Sequence, residues 1–227
     1  MPNRPHADAA KAVSLHALRI PSGTRELEAD LSLPGEPRGL VVFAHGSGSS
    51  RRSVRNQSVA RTLNQRGFAT LLFDLLTPQE SRLPAARFDI PLLASRLDDV
   101  LDWVGWQPVL ATLPVALFGA STGAAAALVA AARNPGRIAA VVSRGGRPDL
   151  AGAQALAGVR PPTLLVVGGD DPAVLELNRQ AAGLIGGNAR LVVVPGATHL
   201  FEEPGALETV ASLAGDFLAR FIPGKTA

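Results

Sequence analysis

The chain has 227 residues, of which 47% are apolar and 18% charged, which is enough apolar surface for one folded domain and excludes a disordered protein. It contains no cysteine, so disulfide scaffolds, thiolate metal sites and cysteine nucleophiles are excluded. The formal net charge is only +3 and aromatic residues make up 4% of the chain, which disfavours a nucleic-acid partner.

The first predicted element is a β-hairpin. Residues 13–20 and 25–33 have strand composition and are separated by a Pro-Ser-Gly turn. In the second segment every other residue from Leu27 to Leu33 is apolar. A period of two is typical of a strand with one buried and one solvent-exposed face.

Six further strands and six helices are predicted to alternate along the rest of the chain. The strands are predicted from short uninterrupted apolar runs, and the helices from the longer segments between them. The runs are Leu40–Ala44, Ala69–Phe73, Pro114–Gly119, Ile138–Val142, Thr163–Val167 and Leu191–Val194. The helical segments are Val54–Gln65, Leu92–Val104, Gly123–Arg133, Leu150–Leu156, Val174–Leu184 and Pro204–Phe221. This alternation predicts an α/β fold, with a mostly parallel eight-stranded sheet, right-handed crossovers and helices on both faces.

We expect a single domain over residues 13–222, with flexible tails at 1–12 and 223–227. Residues 1–13 lack the apolar core of a secretory signal, which favours a cytoplasmic protein. The uncharged stretch 103–132 has the length of a membrane span, but prolines and glycines interrupt it. It is therefore interpreted as a buried strand, a turn and a buried helix, and no membrane contact is expected.

The predicted strands at 138–142 and 163–167 are separated by only twenty residues, which already contain a helix. This spacing leaves no room for a cap domain, so we expect an open site. The one segment able to act as a lid is Leu75–Pro91. Ligands of parallel α/β sheets bind beyond the carboxyl ends of the strands, so the residues that follow each strand are the candidates for function.

The fifth strand leads into Gly119-Ala120-Ser121-Thr122-Gly123, a G-x-S-x-G sequence followed by an alanine-rich helix. Between a strand and a helix this sequence predicts a nucleophile elbow, in which glycines permit a strained turn that exposes the serine hydroxyl. The backbone N–H that follows the nucleophile, that of Thr122, is then an expected oxyanion donor. The alternative is a glycine-rich loop whose Ser121 side chain caps the helix.

A serine hydroxyl needs a base to accept its proton, and an imidazole is suited to that task near neutral pH. Of the four histidines, His6, His16 and His45 precede the serine, and only His199 follows it, after the last predicted strand. An elbow of this kind requires the chain order serine, acid, histidine, so His199 is the candidate base. The alternative is a loop histidine bonded to the backbone.

The acid of such a triad orients the histidine and stabilises its cation. Asp170 and Asp171 both follow the seventh strand, and local chemistry does not decide between them. Asp171 precedes Pro172, so it also fits an N-cap with proline at the first helical position. Asp149, beside Pro148, is explained as a helix cap.

Four motifs resemble those of small serine α/β-hydrolases of the dienelactone hydrolase-like group, and together they span nearly the whole chain. They are His45-Gly46-Ser47-Gly48-Ser49-Ser50-Arg51, Gly119–Gly123, Gly168-Gly169-Asp170-Asp171-Pro172-Ala173-Val174 and Gly196–His199. The family's G-x-x-D-x-x-V pattern implies that Asp171 is the acid. Its His-Gly loop implies that the backbone N–H of Ser47 is the second oxyanion donor.

The resemblance implies a serine hydrolase that cleaves carboxylic esters, with lactones and thioesters as alternatives, through a Ser-His-Asp triad and an acyl-enzyme. Dienelactone hydrolases themselves use a cysteine nucleophile, and this chain has none. A function of another class also fits: a non-catalytic binding or regulatory module that keeps the fold. Neither the natural substrate nor the oligomeric state can be read from the sequence.

Arginines near the predicted strand ends suggest an anionic substrate. Arg51 and Arg52 follow the predicted oxyanion loop and Arg144 follows the sixth strand, so all three are expected to face one crevice and bind an anionic group. The loop Gly46-x-Gly48-x-x-Arg51 lacks the features of a nucleotide fingerprint, so no cofactor is expected. No metal is expected either, because the histidines are not spaced as ligands.

Overall fold

The structure is a computed structural model that describes residues 13–224. The predicted tail at 1–12 and residues 225–227 lie outside the described residues. Eight strands form one sheet with the order β1-β2-β4-β3-β5-β6-β7-β8. The strands are β1 Val13–Ser22, β2 Arg25–Pro34, β3 Leu40–Ala44, β4 Ala69–Phe73, β5 Val115–Ala120, β6 Ile138–Arg144, β7 Thr163–Gly168 and β8 Ala189–Val194.

Only the leading hairpin departs from parallel pairing. The strand β2 pairs antiparallel with both β1 and β4, whereas the remaining neighbours in the sheet are parallel. Buried and more exposed residues alternate along β2, whereas every residue of β3, β4, β5 and β7 is buried. The predicted eight-stranded α/β fold, with its antiparallel part in the hairpin and no cap domain, is confirmed.

Within residues 13–224, six α-helices lie between or after the strands and cover the sheet. They are α1 Val54–Gln65, α2 Ile90–Trp106, α3 Thr122–Arg133, α4 Ala153–Gly158, α5 Pro172–Ile185 and α6 Ala206–Phe221. The helix predicted at 150–156 is wrong in its extent. A 3₁₀ turn over Pro148–Ala151 precedes the short α4, and Gly152, with φ at 80°, separates the two. An α-helix cannot continue through that left-handed backbone conformation.

Two apolar layers sandwich the sheet. The helices α1 and α6 pack on one face, where the rings of Phe43 and Phe118 lie 4.7 Å apart between centroids. The helices α2, α3 and α5 cover the other face. The uncharged stretch 103–132 becomes the end of α2, β5 and most of α3. Within residues 13–224, no helix combines the length and hydropathy needed to cross a membrane.

The connection from β4 to α2 contains the segment singled out as a lid, Leu75–Pro91. It folds as two 3₁₀ turns, Glu80–Arg82 and Ala85–Phe88. The carboxylate of Glu80 fastens the segment to the body of the protein, since its Oε1 atom lies 2.8 Å from Nε of Arg25 and 2.9 Å from Nη2 of Arg96. The segment therefore has a fixed position beside the carboxyl ends of the strands.

Candidate active site

Ser121 lies at the turn between β5 and α3 in a backbone conformation that residues other than glycine rarely adopt. Its φ is 51° and its ψ is −121°, and its side chain makes no capping hydrogen bond to α3. A Cβ atom on Gly123 would lie closer than 3.0 Å to the carbonyl oxygen of Ala44, and one on Gly119 equally close to the backbone of Ala124. Glycine is therefore required at both positions, and the strained turn leaves the Ser121 hydroxyl free of the helix.

Two side chains from other strand ends approach Ser121. The Nε2 atom of His199 lies 3.4 Å from its Oγ atom, and the Nδ1 atom of His199 lies 2.7 Å from Oδ2 of Asp171. Asp171 is half-buried whereas Asp170 is exposed. Asp171 occupies the N-cap position of α5 but makes no capping hydrogen bond. Of the two candidate acids, it is thus Asp171 whose carboxylate contacts the histidine.

Contacts between the loops after β7 and β8 bring Asp171 to His199. The N–H of Asp170 donates to the carbonyl of Ala197 at 3.0 Å. A Cβ atom on Gly168 would lie closer than 3.0 Å to that same carbonyl oxygen. Since the two strands are parallel neighbours, their ends meet at one edge of the sheet, and glycine at the end of β7 lets the two loops pack together.

The predicted oxyanion donors also lie at this edge. Within residues 13–224, the backbone N–H groups of Ser47 and Thr122 donate to no protein acceptor. A Cβ atom on Gly46 would lie 3.1 Å from Cβ of Ser121, so the loop after β3 passes directly beside the serine. Thr122 begins α3, where the helix dipole adds positive potential. The two N–H groups are therefore free to bind a developing negative charge near Ser121.

A cavity of about 280 Å³ adjoins these groups. Both the loop after β3 and the segment Leu75–Pro91 contribute to its wall. Its lining includes Ser47, Thr122, Leu75, Leu76, Leu93 and Arg87. The lining combines three leucine side chains with a larger number of polar and charged residues, so the cavity offers a small ligand both apolar and polar contacts.

Arg87 lines the cavity, although it is not among the site residues predicted from the sequence. Its side chain is half-buried, and its Nε donates to the carbonyl of Ser81 at 2.6 Å. Among the described residues its guanidinium contacts no carboxylate. The sequence places Arg82 and Arg87 in the same segment, and only the path of the two 3₁₀ turns directs Arg87 into the cavity and leaves Arg82 exposed.

The three arginines predicted to share one crevice do not line this cavity, and that expectation is corrected. The guanidinium of Arg51 lies 2.5 Å from Asp74 and 2.6 Å from Glu28, so carboxylates of the protein already engage it. Arg52 is exposed. Arg144 is buried, and its Nη2 lies 3.4 Å from Oδ1 of Asn56. The reason is strand geometry: Arg144 follows Ala140 and Val142 on the face of β6 that is covered by α1 and α6.

His45 fastens the loop after β3 to the segment Leu75–Pro91. The side chain is buried, its Nε2 accepts the N–H of Leu75 at 3.0 Å, and its Nδ1 lies 3.0 Å from the carbonyl of Gly46. Because Nε2 accepts a hydrogen bond, the proton of the neutral ring lies on Nδ1, and this N–H donates to the carbonyl of Gly46. Burial lowers the pKa of His45 below its ordinary value of 6.5, so the folded protein favours the neutral imidazole.

This histidine is expected to make stability depend on pH. As the pH falls below about 6.5, the unfolded chain binds a proton that the folded state disfavours. The contribution of the neutral His45 side chain to the free energy of unfolding is fully present above about pH 6.5, and it is lost as the pH falls through the lower pKa of the folded state. The free energy of unfolding, measured with urea between about pH 8 and pH 5, should fall more for the wild type than for His45→Gln. His16→Gln, at an exposed site on β1, is the control and should behave as the wild type. Equal slopes for all three proteins would contradict this role.

Similar known proteins show the family and the fold of this chain. The sequence pattern of the alpha/beta hydrolase fold family matches residues 39–157. A structure titled dienelactone hydrolase from Anabaena variabilis is 50% identical, with a TM-score of 0.89 over 92% of this chain and 99% of that chain. The chain is an α/β hydrolase. The resemblance to the dienelactone hydrolase-like group is therefore confirmed.

The chain is also similar to one more distant protein of known structure and to two longer proteins. The hydrolase shares its fold with Est1E from Butyrivibrio proteoclasticus, with 20% identity and a TM-score of 0.78 over 91% of this chain and 98% of that one. It is also 56% identical, over 98% of its length, to two Mycobacterium tuberculosis proteins whose names propose a phosphoribosyl transferase activity. The hydrolase spans about half of the length of these relatives, 52% in each case.

Proposed function

We propose that this hydrolase cleaves small carboxylic esters, with Ser121 as nucleophile, His199 as general base and Asp171 as the residue that orients the histidine. The observation that carries the proposal is the continuous contact from Asp171 through His199 to Ser121, with separations of 2.7 and 3.4 Å. The longer separation is common in unliganded hydrolytic sites and shortens when substrate binds.

In the first half of the reaction, Oγ of Ser121 attacks the ester carbonyl carbon while its proton passes to Nε2 of His199. The carbonyl oxygen becomes an alkoxide that accepts hydrogen bonds from the N–H groups of Ser47 and Thr122. Each such donor contributes about 3 kcal/mol to the transition state. The tetrahedral intermediate then collapses, the bond to the alcohol breaks, and the imidazolium donates its proton to that leaving group.

In the second half, water replaces the alcohol. His199 accepts a proton from the water, the resulting hydroxide attacks the acyl-enzyme carbonyl, and the proton returns to Oγ of Ser121 as the carboxylic acid leaves. Throughout the cycle Asp171 accepts the Nδ1–H of His199, which keeps Nε2 available as the acceptor and stabilises the imidazolium.

The cavity favours a small acyl or alcohol group. Its volume of about 280 Å³ is at the low end for ligand sites. Leu75, Leu76 and Leu93 supply apolar surface. Arg87 supplies a cation for an acidic or polar end of a ligand, whereas the carboxylate of Asp74, which also lines the cavity, is paired with Arg51. A panel of p-nitrophenyl esters, lactones and thioesters of graded length and charge would identify the preferred class within this reaction.

The name of the Mycobacterium tuberculosis relatives supports no second proposal. Those proteins are about twice as long as the part that matches this chain. A phosphoribosyl donor needs a phosphate cradle, and the glycine-rich loop after β3 is a poor one. The guanidinium of Arg51, at the end of that loop, is already engaged by Asp74, Glu28 and Asp30.

A fluorophosphonate probe tests the proposal directly, because it reacts with activated serines. We expect stoichiometric labelling of Ser121 in folded protein from about pH 6 to pH 9, read by mass spectrometry of the labelled peptide. Ser121→Ala should not be labelled. Ser47→Ala should still be labelled, because Ser47 contributes only its backbone N–H. Absence of labelling in folded wild-type protein would instead indicate the non-catalytic binding module.

A further inference from the structure

Two described arginines are almost completely buried, and their partners differ. The exposed fractions of Arg96 and Arg144 are 8% and 7%. Arg96 lies on α2 and contacts the carboxylate of Glu80 at 2.9 Å. The guanidinium of Arg144 contacts no carboxylate within residues 13–224, and its one polar partner there is the neutral side chain of Asn56, at 3.4 Å. A buried guanidinium without a counter-ion is strongly destabilising, so a group that compensates the charge of Arg144 is expected nearby.

Several N–H groups at this place lack an acceptor. The Nε and Nη1 atoms of Arg144 are inaccessible to solvent and have no hydrogen-bond partner in the described part of the chain. The same holds for Nε of Arg55, the neighbour of Asn56 on α1. Arg51 and Arg96 each have one such nitrogen but also a carboxylate partner, whereas Arg144 has two such nitrogens and no carboxylate among the described residues. Since native proteins leave few buried donors unpaired, this indicates a ligand at Arg144 that accepts hydrogen bonds.

The local charge is positive. Burial and the nearby charge of Arg55 lower the pKa of Arg144 to about 10, and at neutral pH the side chain still carries its proton. The first turn of α1, which carries Arg55 and Asn56, contains no acidic residue, and the helix dipole adds positive potential there. Glu202 pairs with Nη1 of Arg55 at 2.9 Å, but its side chain is 63% exposed and leaves Arg144 without a counter-ion.

We propose that Arg144, Arg55 and Asn56 form a binding site for one small monovalent anion, of the size of chloride or acetate, taken up from solution. Guanidinium N–H groups supply the charge and the donors that such an anion requires. The site is separate from the cavity beside Ser121, because none of the three residues lines that cavity. The proposal of this site does not rest on the proposed ester hydrolysis.

The site contacts both the strand end that leads to Ser121 and the loop that carries His199. The carbonyl of Arg144 accepts the N–H of Ser121 at 3.2 Å, so the arginine belongs to the strand that supports the elbow. Arg55 contacts Glu202, which lies three residues after His199 in the same loop. A bound anion therefore stabilises the strand end and the loop that hold the serine and the histidine.

The test is thermal unfolding of the full chain in chloride-free buffer, with ionic strength held constant by a bulky sulfonate salt. We expect the Tm of the wild type to rise saturably by roughly 5 °C as sodium chloride or sodium acetate replaces that salt. Arg144→Met should lose this response, and in the sulfonate buffer its Tm should be no lower than that of the wild type, because an uncompensated charge has been removed. The control is Arg61→Met, at an exposed position on α1, the helix that carries Arg55, and it should respond as the wild type.

Two results of the thermal unfolding would overturn the proposal. One is a wild-type Tm that does not change with either anion, and the other is an Arg144→Met protein that keeps the full response. If Arg144→Met does not fold, the wild-type titration and Arg55→Met decide the question in the same way. A rise in KM confined to a carboxylate-bearing ester in Arg144→Met would place a substrate carboxylate there and contradict uptake of a free anion. Because Tm needs no turnover, failure here is distinguishable from failure of the proposed esterase activity.

Discussion

Replacing Asp171 by asparagine is expected to lower the kcat of ester hydrolysis about 10⁴-fold while the fold is retained. The Oδ2 atom of Asp171 accepts the Nδ1–H of His199 at 2.7 Å. An asparagine can present an N–H to that nitrogen instead, which moves the imidazole proton to Nε2 and removes the acceptor that Ser121 needs. The fold should survive because asparagine has nearly the same shape and because Asp171 makes no capping hydrogen bond to α5.

Asp170→Asn is the matched control for this change. Asp170 is the adjacent carboxylate on the same turn, its side chain is exposed, and it meets the histidine loop only through its backbone N–H. We expect its kcat to stay within about twofold of the wild type. The measurements are kcat and kcat/KM for p-nitrophenyl acetate, with circular dichroism and Tm as checks of folding. A large loss of activity in Asp170→Asn, with only a lower Tm in Asp171→Asn, would reverse the assignment.

The substitution Gly123→Ala is expected to lower the free energy of unfolding by about 3 kcal/mol or more. A Cβ atom at this position would lie closer than 3.0 Å to the carbonyl oxygens of both Ala44 and His45. These are backbone atoms at the end of a buried strand, so no side chain can rotate away to make room. The alternative is displacement of α3, which would move Ser121 and the N–H of Thr122 and so reduce activity as well.

Gly183→Ala provides the opposite expectation in the same protein. Gly183 lies on an exposed part of α5, and a Cβ atom there would meet no atom within 4 Å beyond its chain neighbours and the backbone of its own helix. Alanine is the better helix former, so we expect a gain of about 0.5 kcal/mol. Urea denaturation of both variants measures the two changes under identical conditions. A Gly123→Ala protein as stable and active as the wild type would show that the elbow is not packed as described.

The elements of the fold and the elbow could be predicted from the sequence because they depend on local patterns. Strands buried on both faces appear as short apolar runs, and both β3 and β4 begin and end where those runs do. The elbow is equally local, since the need for glycine at positions 119 and 123 follows from a turn only a few residues long. The extent of the helix near 150–156 was wrong because a single glycine conformation interrupts it.

The sequence by itself thus determined the fold class, the serine and the one histidine that follows it in chain order. The tertiary structure shows that Asp171, and not Asp170, contacts His199, because that contact depends on how the loops after β7 and β8 pack. It also decided which arginines are available. Arg51 is engaged by carboxylates more than twenty residues away, and Arg144 is buried against α1 by the alternation of β6. Such contacts join residues far apart in the chain, and local sequence patterns therefore do not predict them.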